Sequence, residues 1–368
     1  MRYRYLKTNG RIEKKALVYS QSEHCINLGD IDHDAVSICR RLQDCGYETY
    51  IVGGAVRDLL MGKRPKDFDL ATAARPPEIK RAIHNTRLIG RRFKLIHVFF
   101  GTKIIELATF RSSKDGTTGN TFGKIEEDVM RRDFTMNALF YDPVKEQVID
   151  FVGGVEDIKS KLIKPIIPLG VIFKDDPVRM IRAVKYCAIA GWTIPQALYA
   201  KIRSNGALLK TISPSRLTEE ITKIIKSPAA GGIIASLEET GLFMYLQPNA
   251  SALLKKDKNY KKHFFDGLAA GAVSEENTPP PSIANFLRLL IVDYVEMETD
   301  WTLPSGDAGL AAAELYKNVF ANARKFVLPM NPPRAELERA LRAIFNEHGI
   351  TVKKVRLKNG GFHRRRGK

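Results

Sequence analysis

A chain of 368 residues, 44% hydrophobic and 27% charged, is too long for one ordinary core and fits a globular protein of two or three domains. No apolar run is long enough to span a membrane, and the basic start MRYRYLKTNGRIEKK leads into no apolar stretch, so neither a membrane span nor a secretory signal is expected. Lysine and arginine number 59 against 41 acidic residues, a net charge of +18, which points to a polyanionic partner, nucleic acid first. The four cysteines (Cys25, Cys39, Cys45, Cys187) lack metal-ligand spacing and suit free thiols in a reducing cytoplasm.

Residues 1–25 read as a basic, weakly ordered extension. DIDHDAVSICRRLQDCGY carries apolar residues at helical spacing (Ile31, Ala35, Ile38, Leu42) and stops at Gly46. ETYIV reads as a strand, GGAVRDLLMG as a Gly-Gly turn opening a short helix, DFDLAT as β-like, and PPEIKRAIHN as a helix headed by prolines. LIHVFFG and KIIELATF read as strands joined by a tight turn at Gly101-Thr102-Lys103. Residues 112–128, rich in Gly, Thr, Ser and charge, read as a loop. FTMNALFYD reads as helical and QVIDFV as a strand. Beyond about residue 165 the pattern turns helical: Asp176 and Pro177 head one helix, SPSRLTEEITKIIKS starts another, and SEENTPPPS breaks the run. The expected organisation is an α/β head at 26–165, a helical neck at 166–245, a helical body at 246–350 and a basic tail at 351–368.

The chemistry concentrates in KDFDLATAARP. On a strand, Asp67 and Asp69 leave one face while Phe68 and Leu70 turn inward. Two carboxylates on one rigid face repel each other and offer hard oxygen ligands to Mg²⁺, which would compensate them. Taken alone, Asp-x-Asp reads more readily as a solvated strand face, and the upstream residues shift the reading toward a metal site. Gly53 and Gly54, between a strand and a helix, leave backbone free to approach phosphates, with Arg57 just inside the helix. Glu106, flanked by apolar residues on a strand, is a candidate third acid. Two metals would activate an attacking hydroxyl and stabilise leaving pyrophosphate, which is nucleotidyl transfer.

IVGGAVRDLLMGKRPKDFDLAT, IIELATFR, EEDVMRRDFTMNAL and DDPVRMIRAVKY, in this order over roughly residues 25–245, resemble the polymerase-β-type nucleotidyltransferases that extend RNA 3′ ends: bacterial poly(A) polymerases and class II CCA-adding enzymes. The resemblance implies a head with a mixed, antiparallel-rich sheet and helices, followed by an all-α neck, body and tail. It implies two Mg²⁺ ions on Asp67, Asp69 and Glu106, with ATP as substrate. It implies triphosphate contacts from Gly53, Gly54 and Arg57, and phosphate and ribose contacts from Arg131, Arg132 and Asp133. Asp176 and Arg179 match the pair that reads the incoming base, with Arg182 facing the phosphates. Asp175 stands where the family usually has Glu, which shortens its reach. A carboxylate and a guanidinium three apart on a helix would accept from and donate to the edge shared by adenine and cytosine, rejecting guanine and uracil. Asp176 is equally a helix cap, and both roles are compatible.

RLIGRRFKLIHVFFGTKIIELATF, FGKIEEDVMRRDFTMNALFYD and SRLTEE lean toward the poly(A) polymerase branch. The expected function is template-independent addition of AMP to RNA 3′ ends, the alternatives being CCA addition to tRNA and a non-catalytic RNA-binding protein on this fold. The acid-free end, KKVRLKNGGFHRRRGK, would bind phosphates without sequence preference or serve only as a solubilising tail.

Overall fold

The computed structural model describes residues 2–8, 11–89, 95–112, 121–272, 282–302 and 308–352. Outside them lie nearly all of the basic tail, the centre of the Gly/Thr-rich loop, Gly90–Lys94 and most of SEENTPPPS. The chain forms two compact units, Met1–Ile212 with Glu239–Leu242, and Ser213–Glu238 with Phe243–Lys368.

The first unit is built on one sheet. Its strands are β1 (Arg2–Thr8), β2 (Arg11–Tyr19), β3 (Thr49–Val52), β4 (Asp69–Thr72), β5 (Thr86–Ile89), β6 (Leu95–Phe100), β7 (Lys103–Thr109), β8 (Leu139–Asp142) and β9 (Gln147–Asp150), in the order β1-β2-β9-β8-β3-β4-β7-β6-β5. Every described strand pair of the sheet is antiparallel except β4 with β7. The helices of this unit are α1 (His33–Asp44), α2 (Gly54–Leu60), α3 (Pro76–Ala82), α4 (Ile125–Met130), α5 (Gly154–Lys159), α6 (Ile172–Asp175), α7 (Val178–Ala190) and α8 (Gln196–Asn205). Ala16, Tyr50, Val52, Ala71, Phe110, Ile125, Val129, Phe140 and Ile149 pack together, seating α4 against the sheet.

Three expectations change: the segment 112–128, read as a loop, turns helical from Ile125, where α4 begins, and two further segments differ. The N-terminal segment is not a weakly ordered extension: β2 pairs with β9 through Leu17↔Asp150, Val18↔Ile149 and Tyr19↔Val148, and Ala16 and Tyr19 are buried. The density of lysines hides this alternation. FTMNALFYD is not a helix either. A single 3-10 turn at Thr135–Asn137 leads into β8, whose four residues are buried between β3 and β9. An apolar run enclosed on all sides carries no period, so its pattern does not separate helix from strand.

The second unit is helical among the described residues: α9 (Pro214–Ile225), α10 (Ala230–Glu239), α11 (Phe243–Leu246), α12 (Pro248–Lys256), α13 (Lys258–Ala272), α14 (Ile283–Glu298), α15 (Ala308–Phe326) and α16 (Arg334–Glu347). Its core includes Tyr260, Phe264, Phe286, Leu290, Leu341 and Phe345, all buried. No described helix is long and apolar enough to cross a membrane.

Candidate active site

Strand register lines up the site. Ile149 opposes Phe140, Phe140 opposes Val52, Val52 opposes Asp69, Asp69 opposes Glu106, and Glu106 opposes His97. Directly opposed residues share a face, so these six form one row across the sheet. The row is apolar as far as Val52 and turns polar at Asp69. Asp67 lies two residues before Asp69, ahead of the first residue of β4; both are exposed, Phe68 is half-buried and Leu70 is buried. Glu106 is half exposed, and its Oε1 lies 3.5 Å from His97 Nε2. The three carboxylates fit a divalent cation in chemistry: they are accessible hard-oxygen donors, two of them on adjacent strands in register. Among the described residues no three such side chains already converge as a metal cluster.

Beside the row, Gly53 caps α2 with φ 69° and ψ −129°, a conformation only glycine adopts without strain. A Cβ there would stand 3.6 Å from Arg132 Nη1, and one on Gly54 would stand 3.6 Å from Arg57 Nη2. The bare turn is thus flanked by two guanidinium groups.

Asn137 ties these cations together. Arg57 Nη1 donates to its Oδ1 at 2.8 Å, its Nδ2 donates to Asp133 Oδ1 at 3.2 Å, and Arg132 Nη1 donates to its backbone oxygen at 3.0 Å. Arg57 also donates to Asp58 Oδ1 from Nε at 2.9 Å and Nη2 at 2.7 Å, and lies over the Tyr186 ring. Arg132 lies over the Phe140 ring, 4.9 Å from its centroid, and donates to Asp128 Oδ2 from Nε and Nη2 at 3.2 and 2.9 Å. Asp128, 5% exposed, also accepts the Arg111 backbone N–H and sits 3.8 Å from Arg131 Nη1. Arg131 is pushed down to about 10 by burial and by its neighbour Arg111, against the pull of Asp128. Its side chain is only 9% exposed, the most enclosed cation of the RRD segment.

At the start of α7 the geometry departs from the sequence reading. Asp176 and Arg179 do not share a helical face. Asp176 has extended backbone between α6 and Pro177, and its Oδ1 accepts the Val178 N–H at 3.1 Å, a capping role. Arg179, 3% exposed, donates from Nη1 to Asp175 Oδ2 at 2.6 Å and to the Ile172 carbonyl at 3.1 Å, and from Nη2 to the Arg131 carbonyl at 3.3 Å. Asp175, given little weight in the sequence, is therefore the carboxylate that orients Arg179. Arg182 Nη1 lies 3.8 Å from Asp133 Oδ2. Asn137, Asp128 and Tyr186 escaped sequence reasoning; the signal for them is membership of the EEDVMRRDFTMNAL and DDPVRMIRAVKY segments.

Residues 49–164 match the poly A polymerase head domain, and residues 191–254 match a segment described as the probable RNA and SrmB-binding site of polymerase A. Poly(A) polymerase I of Salmonella typhi is 41% identical over 247 residues, 63% of this chain and 53% of the relative. The CCA-adding enzyme of Geobacillus kaustophilus is 37% identical over 218 residues, 58% and 54% of the two chains. The chain thus spans about half the length of the curated relatives it matches. A crystal structure of the Bacillus stearothermophilus CCA-adding enzyme in complex with CTP matches with a TM-score of 0.56 at 26% identity, covering 86% of this chain and 83% of that one. The Thermotoga maritima CCA-adding enzyme complexed with tRNA shares the fold, with a TM-score of 0.55 at 18% identity over 90% and 85% of the chains. The head motifs, the mixed sheet that carries them and these relatives agree: residues 49–164 are a poly A polymerase head domain, in a chain similar to poly(A) polymerases and CCA-adding enzymes.

Proposed function

We propose that the protein is a polynucleotide adenylyltransferase that adds AMP from ATP to RNA 3′ ends. The observation that carries the reading is the register row, which puts Asp69 and Glu106 side by side next to the Gly53 turn and its two guanidinium groups. Asp67, Asp69 and Glu106 would hold Mg²⁺, which when bound favours the ionised 3′-hydroxyl and neutralises developing phosphate charge. Gly53 and Gly54 leave backbone open to the triphosphate. Arg57, Arg132 and Arg182 supply cations around it, Arg131 and Asp133 complete the phosphate and ribose contacts, and the Arg131 carbonyl accepts from Arg179. Arg179, oriented by Asp175, and Asp176 read the adenine edge. The same reading treats residues 26–165 as head, 166–245 as neck, 246–350 as body and 351–368 as tail.

The poly(A) branch is favoured by the 41% identity to poly(A) polymerase I, and CCA addition is the second reading because solved structures of that enzyme share the fold. Product length separates them. With ATP, Mg²⁺ and an unstructured RNA, the protein is expected to add a run of adenosines with no fixed stop, and Asp69→Ala to add none while keeping its fold, since Asp69 is exposed. Self-terminating C-C-A addition to truncated tRNA, with little extension of generic RNA, would install the second reading.

A further inference from the structure

We propose that a lysine stripe at the start of α13 (Lys258, Lys261 and Lys262) is a docking surface for the phosphate backbone of single-stranded RNA. The identity of the partner rests on the adenylyltransferase reading; the surface itself rests on the following geometry. Five lysines fall between positions 255 and 262: Lys255 and Lys256 end α12, and the other three open α13. All five are exposed. Positions 258, 261 and 262 are spaced i, i+3 and i+4 and share one helical face. The opposite face is anchored. Tyr260 is buried and donates from its hydroxyl to the Leu290 carbonyl at 2.9 Å, and the Phe264 ring lies 5.9 Å from that of Tyr260 and 6.1 Å from that of Phe286. The cations are therefore presented from a rigid mount.

Local acids do not account for the stripe. Asp257 Oδ1 is engaged by the N–H groups of Asn259 and Tyr260, at 2.8 and 3.0 Å, where it caps α13. Glu238 lies 3.7 Å from Lys255, and Asp293 faces His263 at 3.3 Å. Asp266 is exposed one turn beyond Lys262. Among the described residues, no ion pair engages Lys256, Lys258, Lys261 or Lys262. Helix polarity makes the placement costlier still. A helix N-terminus carries partial positive charge and favours acids, yet Lys258 and Lys261 occupy the first turn of α13. A face serving only solubility would be better filled by glutamate there. Polyphosphate supplies the missing counter-charge to both the lysines and the helix end. The stripe also continues α12, which begins inside the matched RNA-binding segment and runs two residues past its end.

The test compares the full chain with the triple variant Lys258→Gln/Lys261→Gln/Lys262→Gln and with a control of equal charge change, Lys145→Gln/Lys159→Gln/Lys317→Gln. Affinity for a labelled single-stranded oligoribonucleotide is measured across a salt series. Each lost phosphate contact lowers the slope of log affinity against log salt by about 0.7, so the stripe variant should lose about two units of slope. The control should keep the wild-type slope, and thermal unfolding should show the stripe variant at least as stable as wild type. An unchanged slope, or equal losses in stripe and control variants, would overturn the proposal. So would wild-type binding of polyglutamate as tightly as RNA, which would mark an acidic protein as the partner. Adenosine incorporation is read on the same samples: a wild type that binds RNA with the expected slope but adds no nucleotide would overturn the function while leaving the surface standing.

Discussion

Gly53 and Asp175 show how much of the site rests on single positions. Any side chain at Gly53 must adopt φ 69°, ψ −129°, which costs about 1–3 kcal/mol before contacts are considered. Gly53→Ala is expected to lower thermal stability by that amount and to raise the KM for ATP, because the new methyl would stand in front of Arg132. Differential scanning fluorimetry and steady-state kinetics read the two effects separately. Asp175→Asn removes the charged partner of Arg179 but keeps an oxygen for the guanidinium. A hydrogen bond to a charged group contributes about 1.5–3 kcal/mol. Discrimination of ATP against GTP should therefore fall by about tenfold to a hundredfold, with incorporation of ATP itself less affected. Asp175 is the clearest case of a residue the sequence undervalues: it reaches forward from the end of α6 to Arg179, and spacing does not separate an i,i+4 partner from the i,i+3 one at Asp176.

At the scale of elements, Asp150 closes β9 onto α5. Its Oδ1 accepts the N–H groups of Val152, Gly153 and Gly154, and its Oδ2 accepts that of Val155, with distances of 2.8 to 3.0 Å. Gly154 packs so closely on the Thr135 carbonyl that no side chain fits, and Thr135 donates to Asp157 at 2.7 Å. The turn bearing Asn137 is thus braced by the start of α5. Asp150→Ala, at 1% exposure, should destabilise the first unit by about 2–4 kcal/mol and lower activity through Asn137 rather than through any contact with substrate. Chemical denaturation checks the first effect, and rescue by Asp150→Asn, which keeps one acceptor, checks the second. The sequence made much of this framework legible. Helix α1, the Gly-Gly turn, β6, β7 and the two carboxylates at and just before the start of β4 all show in local pattern and turn chemistry. It hid β2 and β8, whose strand state depends on β9 and β3, partners distant along the chain, and with β2 it hid β1, which pairs with β2 alone. It also hid the Asn137 and Asp128 networks, because hydrogen bonding between segments leaves no periodic trace.

For the whole molecule, the +18 charge sets how the substrates should respond to salt. RNA binding that neutralises several phosphates should weaken by about a thousandfold between about 50 and about 200 mM salt. ATP, which on the proposed function meets only a few groups around the Gly53 turn, should be far less sensitive. Measuring KM for each substrate along one salt series tests this, and parallel slopes would show that surface charge does not carry RNA binding.

The one parallel strand pair of the sheet among the described residues, β4 against β7, has a consequence for how this site can vary. Antiparallel neighbours joined by a short turn have their register fixed by the length of that turn. Asp69 and Glu106 are joined instead by a crossover containing α3, β5 and β6, so their alignment is set by the sheet itself. The crossover can be lengthened, shortened or redecorated while the two carboxylates stay in place. The fold thereby holds the two carboxylates constant and, on the proposed function, leaves an adjoining segment free to be retailored for different RNA ends.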